Sequence, residues 1–318
     1  MKFPENSTRS SKIPGKLWAA RALRSGRAAT LFLALASALL ACSRPAPVRA
    51  AVQTPPTALP PGTPRSWAEQ AAANEIGIID DDGKAPLRYR VRKVDAKGDT
   101  TREIVETRQG NVARLIERNG QPITAAEDTA EKDRLNAILA APDDFIKHHK
   151  RDLSTRDDTL QLVRLMPQAL IYTYAPGQPQ LQGTDSPQVV LDFHPDPAFK
   201  PPTMLDDLLT GIEGRLWIDA RSHRMIRIEG RVLHPVNFGW GFVARIYPGG
   251  SIQFEQANPG GDRWVYSHLV EHLTVRAMMV KTIPENNQMT ASDFHLLPAP
   301  VSFQEAIHLL LAMPIPLR

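Results

Sequence analysis

From Ile171 onward the chain is cut by turn residues into short runs of alternating apolar and polar residues, about one run every 10 residues. That rhythm confines the chain to an antiparallel sheet or barrel, because connections this short cannot link parallel strands. The spacing predicts strands over 171–174, 188–193, 215–219, 225–233, 240–247, 251–256, 264–275 and 279–283. Pro248-Gly249-Gly250 and Asn258-Pro259-Gly260-Gly261 are strong turns between them. Three earlier runs, 87–94, 101–108 and 112–117, follow the same rule. They are separated by Ala96-Lys97-Gly98-Asp99 and Gln109-Gly110-Asn111, which reads as an antiparallel meander.

Between the two groups the period changes from 2 to 3.6. Residues 128–141 place Leu135, Ile138 and Leu139 on one helical face, and Pro142 breaks the run. Asp143 caps a second piece to 150. Ser154 or Thr155 starts a third, carrying Leu160, Val163 and Leu165 and stopped by Pro167. Short helices are also expected over 66–75, with Trp67 as anchor, over 204–209 and over 301–311. The expected fold is therefore a β-rich α+β domain over 65–318, with a helical insertion at about 127–167. On the strands, Ile226, Ile228 and Val232 share one face, as do Trp240, Phe242 and Ile246, and Ile252 and Phe254. In register they form one broad apolar surface that helices must cover.

Ahead of this domain stands an export signal. The first 27 residues carry Lys2, Arg9, Lys12, Lys16, Arg21, Arg24 and Arg27 against Glu5 alone, and residues 28–41 are uncharged and apolar. That run is shorter than the roughly 20 residues a spanning helix needs. It ends in Leu39-Leu40-Ala41-Cys42, which is similar to the lipobox at which bacterial lipoproteins are cut and acylated on Cys. Cys42 is the one cysteine in 318 residues, so no intramolecular disulfide is available. The alternative is an ordinary secretory signal cut after Val48-Arg49-Ala50, leaving a soluble periplasmic or secreted protein. The next segment, 43–64, has seven prolines from Pro45 to Pro64 and reads as a stiff spacer.

The leader also explains the charge. The chain has 38 basic and 34 acidic residues; the leader holds seven and one of them, leaving 31 and 33 from Ser43 onward. The exported part has no positive field, which removes nucleic acid from the expected partners. The expected partner is the membrane, through the lipid anchor. Ser43 after the cysteine leans towards the outer membrane.

Gly214-Arg215-Leu216-Trp217-Ile218-Asp219 followed by Arg224-Met225-Ile226-Arg227-Ile228-Glu229-Gly230 resembles the strand pair of outer-membrane lipoprotein-sorting proteins. Phe193-His194-Pro195-Asp196-Pro197 and Phe254-Glu255-Gln256 are similar to the same group, and the resemblance spans about 87–297. It implies an unclosed half-barrel, a large curved antiparallel sheet with helices packed on its concave face. It also implies binding of lipid or lipoprotein acyl chains by a non-enzymatic protein without cofactor. The residues expected to line such a cavity are Ile226, Ile228, Val232, Trp240, Phe242, Ile246, Ile252 and Phe254. The same fold without cargo would make a structural or signal-sensing module.

One motif speaks for an enzyme. His268-Leu269-Val270-Glu271-His272 has the spacing of the inverted zinc-hydrolase pattern, which needs both histidines and the glutamate on one helix face. The surrounding Val, Tyr and Thr predict a strand, on which His268 and His272 share a face and Glu271 takes the other. The segment is thus read as a strand without metal. The anchor is testable: Cys42→Ser is expected to move the protein from the membrane fraction to the soluble envelope fraction. Membrane retention by the variant, with no acyl label on the wild type, would remove the lipobox reading.

Overall fold

A computed structural model describes residues 60–80, 85–184, 186–238, 244–260, 263–277 and 281–318. The leader, Cys42, nearly all of the Pro-rich spacer, Trp240 and Phe242 lie outside the described residues. The strands are β1 (Leu87–Asp95), β2 (Gly98–Val105), β3 (Val112–Arg118), β4 (Gln121–Pro122), β5 (Leu170–Tyr174), β6 (Gln188–Pro195), β7 (Ile212–Asp219), β8 (Met225–Val232), β9 (Val236–Phe238), β10 (Ala244–Ile246), β11 (Ser251–Gly260), β12 (Arg263–Ala277) and β13 (Lys281–Leu296). The helices are α1 (Pro64–Asp80), α2 (Ala125–Ala140), α3 (Asp143–Ala169) and α4 (Phe303–Ala312), with a 3-10 turn at Asp206–Thr210.

Among the described residues these strands form one 13-stranded antiparallel sheet in the order β4-β3-β2-β1-β13-β12-β11-β8-β7-β6-β5, with β10 and β9 attached to the far end of β12. The two edges, β4 and β5, do not meet. The fold is a β-rich α+β half-barrel left open. The N-terminal meander and the C-terminal strands are joined by β13, which pairs with β1 on one side and β12 on the other. Sequence rhythm located most of the strands, but neither the short β4 and β9 nor the length of β13. Pro284, Asn286 and Asn287 suggest an end near residue 283, yet the strand runs to Leu296. Pairing on both sides overrides the weak strand propensity of these residues.

Two departures have clear physical causes. The second and third helical pieces are one helix, α3, of 27 residues; Ser154 and Thr155 lie inside it, and Pro167 sits in its last turn. A proline that close to the C-terminus removes only one late hydrogen bond, so it does not halt the helix earlier. The second is a β-bulge where Trp217 pairs with Arg227 and Ile218 with Met225. The extra residue turns Ile226 to the face opposite Ile228. Ile226 packs with Trp217, Val190, Ala175 and Leu181, while Ile228 packs against the cluster on the other side.

Directly opposed residues in antiparallel strands share a face, so register alone tracks the two faces across the sheet. On one face, α1 and α3 cover β5 to β7: Trp67, Ala68 and Ala71 meet Leu191, Phe193, Leu216 and Ile218. The glycines here are steric. A Cβ on Gly214 would lie 1.8 Å from the Glu229 carbonyl oxygen and 2.7 Å from Phe193, so only Gly lets β7 and β8 approach this way. On the same face Val232, Ile246, Leu273 and Val275 close around Leu208. On the opposite face, α4 buries Phe303, Ile307 and Leu310 against Val105 and Val112.

Helix α2 protects the edge at β3. Glu131 accepts from the Leu115 N–H (2.8 Å), and Arg134 donates to the Ala113 carbonyl. These side chains occupy backbone groups that a foreign strand would otherwise seek. The helix starts with a capping box, Thr124 to Glu127, and α4 starts with another, Ser302 to Glu305. Beneath them lies Arg114, buried, donating to Asp128 Oδ1 (2.7 Å), to the Met313 carbonyl (2.9 Å) and to the Leu310 carbonyl. One guanidinium thus ties β3, the start of α2 and the end of α4. Asp128→Ala strands this charge in the core and is expected to cost about 3–5 kcal/mol, read as a lowered urea midpoint. A change under about 1 kcal/mol would show that the three elements hold without Arg114.

Candidate functional site

The strands place a row of apolar side chains across the middle of the helix-covered face. Ile228 opposes Phe254, Phe254 opposes Leu269, and Leu269 opposes Met289. The row continues onto β1, where Val91 opposes Ala291, and Tyr89 stacks on Phe294 with ring centroids 5.5 Å apart. Ile252, Phe254, Met289, Val91, Tyr89 and Phe294 belong to none of the packed core clusters and remain partly exposed. This is an apolar floor that the helices only half cover.

At one end the floor becomes a pocket. The C-terminal turn of α1 supplies Ile78 and Ile79, α3 supplies Leu153 and Arg156, and the sheet supplies Tyr89, Phe294, Trp264 and Tyr266 around a cavity of about 360 Å³. That volume falls within the usual range of small-molecule sites. One side is polar: His149 and Asp152 from α3, with Glu106 and Arg263 paired at 3.0 Å. Behind Tyr266, the buried Glu75 of α1 accepts from the Tyr266 hydroxyl and from Gln256 Nε2 (2.9 and 2.8 Å). Burial pushes the Glu75 carboxyl above its ordinary range, against the pull of these hydrogen bonds.

The eight residues expected at a lipid site separate in the structure. Ile228, Ile252 and Phe254 lie on the floor. Val232 and Ile246 are buried in the cluster around Leu208 and are core. Ile226 is on the opposite face, turned there by the bulge. Trp240 and Phe242 lie outside the described residues. Sequence reading did not find the pocket. Nothing local pairs Tyr89 with Phe294, 205 positions later, or with α1 and α3.

The H-x-x-E-H segment lies within β12, and the strand geometry separates its members. His268 Nδ1 is 3.1 Å from Thr290 Oγ1 and His272 Nδ1 is 3.1 Å from Asn286 Oδ1, both exposed. Glu271 points the other way and is fully buried, accepting from Asn287 Nδ2 at 3.1 Å. The three cannot meet at one ion. Among the described residues no group of three or more His, Cys, Asp or Glu converges as a metal site.

The face bearing the histidines holds a wide polar trough of about 790 Å³ over β6 to β12. Its charges answer one another across strands: Arg215 binds Asp192 in a fork (2.6 and 3.0 Å), Arg231 pairs with Glu213, and Arg227 with Glu255 (3.4 Å). Arg215 and Arg227 also lie over the Trp217 ring, 5.9 and 5.5 Å from its centroid. Cross-strand pairs of this kind stabilise a solvated sheet face.

Compared with family models, with curated proteins and with solved structures, the chain matches none.

Burial pushes the Glu271 carboxyl up to about 7; the Asn287 hydrogen bond opposes this, and the charge of Glu285 adds to it. A carboxyl with a folded value above its ordinary 4.5 binds its proton more tightly in the folded state. Its effect on stability is absent below about 4.5, and stability falls as pH rises towards 7. The full loss is about 3 kcal/mol. Urea unfolding of the wild type is expected to show this decline between pH 4.5 and 7, and Glu271→Gln is expected to flatten it. Equal slopes in both proteins would place the pH dependence elsewhere.

Proposed function

We propose that the chain is a membrane-anchored, non-enzymatic protein of the cell envelope that binds lipid or the acyl chains of lipoproteins. The binding surface is the half-covered floor and its terminal pocket. One observation carries this reading: aromatic and aliphatic side chains across β11, β13 and β1 stay outside the packed clusters although helices stand above them. An ordinary core would close over these groups, since each methylene withdrawn from water contributes about 0.8 kcal/mol. An acyl chain would gain that same contribution. The leader, the lipobox-like end at Cys42 and the Pro-rich spacer support the anchor, and Ser43 supports the outer-membrane address. The residues assigned to the ligand are Ile228, Ile252, Phe254, Met289, Tyr89 and Phe294.

The test is native mass spectrometry of the full chain carrying Cys42→Ser, expressed in a bacterial envelope and purified without detergent. The expected spectrum contains a discrete added mass of a lipid. Phe254→Gln is expected to lose that mass while lowering the unfolding free energy, read from urea titration, by no more than about 1–2 kcal/mol. A bare mass that persists after incubation with lipids would instead make the fold a structural or sensing module with no cargo.

A further inference from the structure

The strands place two arginines face to face at the far end of the sheet. Arg245 on β10 directly opposes Arg276 on β12, and the row continues to Asn237 on β9 and Thr282 on β13. Both guanidinium groups lie over the ring of Tyr247, 5.8 and 6.0 Å from its centroid, and both arginines remain partly exposed. Like charges placed directly opposite each other destabilise an antiparallel pair. The ring attracts each cation but has no net charge with which to cancel them.

Elsewhere on this face acids answer the arginines: Asp192 beside Arg215, Glu213 beside Arg231, Glu255 beside Arg227 and Glu103 beside Arg90. Here the neighbours in register are uncharged: Asn237 and Thr282 in the row, and Thr274 with Pro284 one step along the same face. Among the described residues neither Arg245 nor Arg276 is ion-paired with an acid. The links that follow in the sequence, Gly239-Trp240-Gly241-Phe242-Val243 and Met278-Met279-Val280, hold no acid either. The exported part as a whole carries 31 basic and 33 acidic residues, so these two cations stand together by placement and not through a general excess.

We propose that Arg245 and Arg276, with Asn237, Tyr247 and Thr282 beside them, bind the phosphate groups of anionic phospholipids and seat this end of the sheet on a membrane surface. Guanidinium groups match phosphate oxygens in charge and in the spacing of their donors, and Asn, Tyr and Thr add uncharged donors. A phosphate between the arginines relieves their repulsion. Sequence favours a lipid over a free anion as its source. Each arginine is two positions from one of the links just named, in which Trp, Phe, Met and Val stand without a charge. Cations next to Trp and aliphatic residues are the composition of chains that lie at a membrane interface. This contact is separate from the anchor at Cys42 and from the apolar floor, which lies on the opposite face.

The test is sedimentation of the full chain carrying Cys42→Ser with two kinds of vesicle, phosphatidylcholine alone and phosphatidylcholine containing about one third phosphatidylglycerol, at about 0.15 M salt, which screens weak surface attraction. Binding at least about 10-fold tighter to the anionic vesicles is expected. Arg245→Gln with Arg276→Gln is expected to weaken that binding about 30-fold, roughly 5-fold for each charge removed near the surface. Its urea midpoint is expected to be no lower than the parent's, because the substitution removes a repulsion. Arg245→Lys with Arg276→Lys keeps both charges and should bind within about 3-fold of the parent. Arg92→Gln removes a cation that Asp99 already answers on the same face and should also change binding by less than about 3-fold. Equal binding to both vesicles, or no loss in the double glutamine variant, would overturn the proposal. So would binding of inorganic phosphate that the double glutamine variant loses, without any preference of the parent for anionic vesicles: the arginines would then serve a free anion. None of these results depends on whether the floor holds an acyl chain.

Discussion

Everything in this fold depends on β13 being paired on both sides. Its register with β1 runs from Leu296 to Gln288, and its register with β12 runs from Thr290 to Lys281. Only that overlap makes one sheet of two meanders that are otherwise separated by the helices α2 and α3. The apolar floor exists because of it: Met289 and Ala291 are the residues through which the row from Ile228 to Leu269 reaches Val91 and Tyr89. The interaction is almost wholly backbone. The side chains of β13 are mostly polar, so the strand is held by its ladder and by the neighbours that frame it rather than by its own apolar content.

The two faces follow different physical rules. On one, burial orders the structure: Trp67 of α1 and the apolar side chains of α3 fill the space over β5 to β7, and packing thins towards β11, β13 and β1. On the other, the middle strands carry paired charges, α4 roofs the β2–β3 end, and the segment from Ala175 to Leu181 covers Val190, Trp217 and Ile226 towards the β6–β8 end. Buried ionisable groups mark the junctions. Arg114 with Asp128 fastens the α4 side, Glu75 with Tyr266 and Gln256 fastens α1 to β12, and Glu271 with Asn287 sits between the floor and the cluster around Leu208. Each group is expensive to bury alone and is held by at least one charge or hydrogen bond.

How much of this was legible in the sequence follows from the range of each interaction. Alternation and turns are local, so β1, β3, β6 and β8 were found close to their true limits, whereas β9 was missed and β11 runs on through the turn expected at Asn258-Pro259-Gly260. The opposite facing of Glu271 and its two histidines was equally readable, because period 2 follows from strand geometry alone. The bulge at Ile226 was not readable. It is a property of the β7–β8 pair, and it moved one of eight expected residues across the sheet. The loss of Val232 and Ile246 to the core has the same origin, since the 3-10 turn that seats Leu208 over them is a tertiary event. The pocket was the least legible feature. It needs Ile78, Tyr89, Leu153, Tyr266 and Phe294 together, and no local pattern joins positions spread over more than 200 residues.

The position of β13 also sets the order in which the molecule can be made. Arg90 and Asp293, ion-paired at 2.9 Å across β1 and β13, are 203 residues apart. The first meander therefore waits for nearly the last strand before it gains its central neighbour. Closing so long a loop carries a large entropy cost before any contact compensates it, and folds dominated by such pairings form slowly. Until that step the floor is an unclosed apolar surface on a chain still searching for its register. A polypeptide with this topology joins its two meanders into one sheet only when β13 arrives.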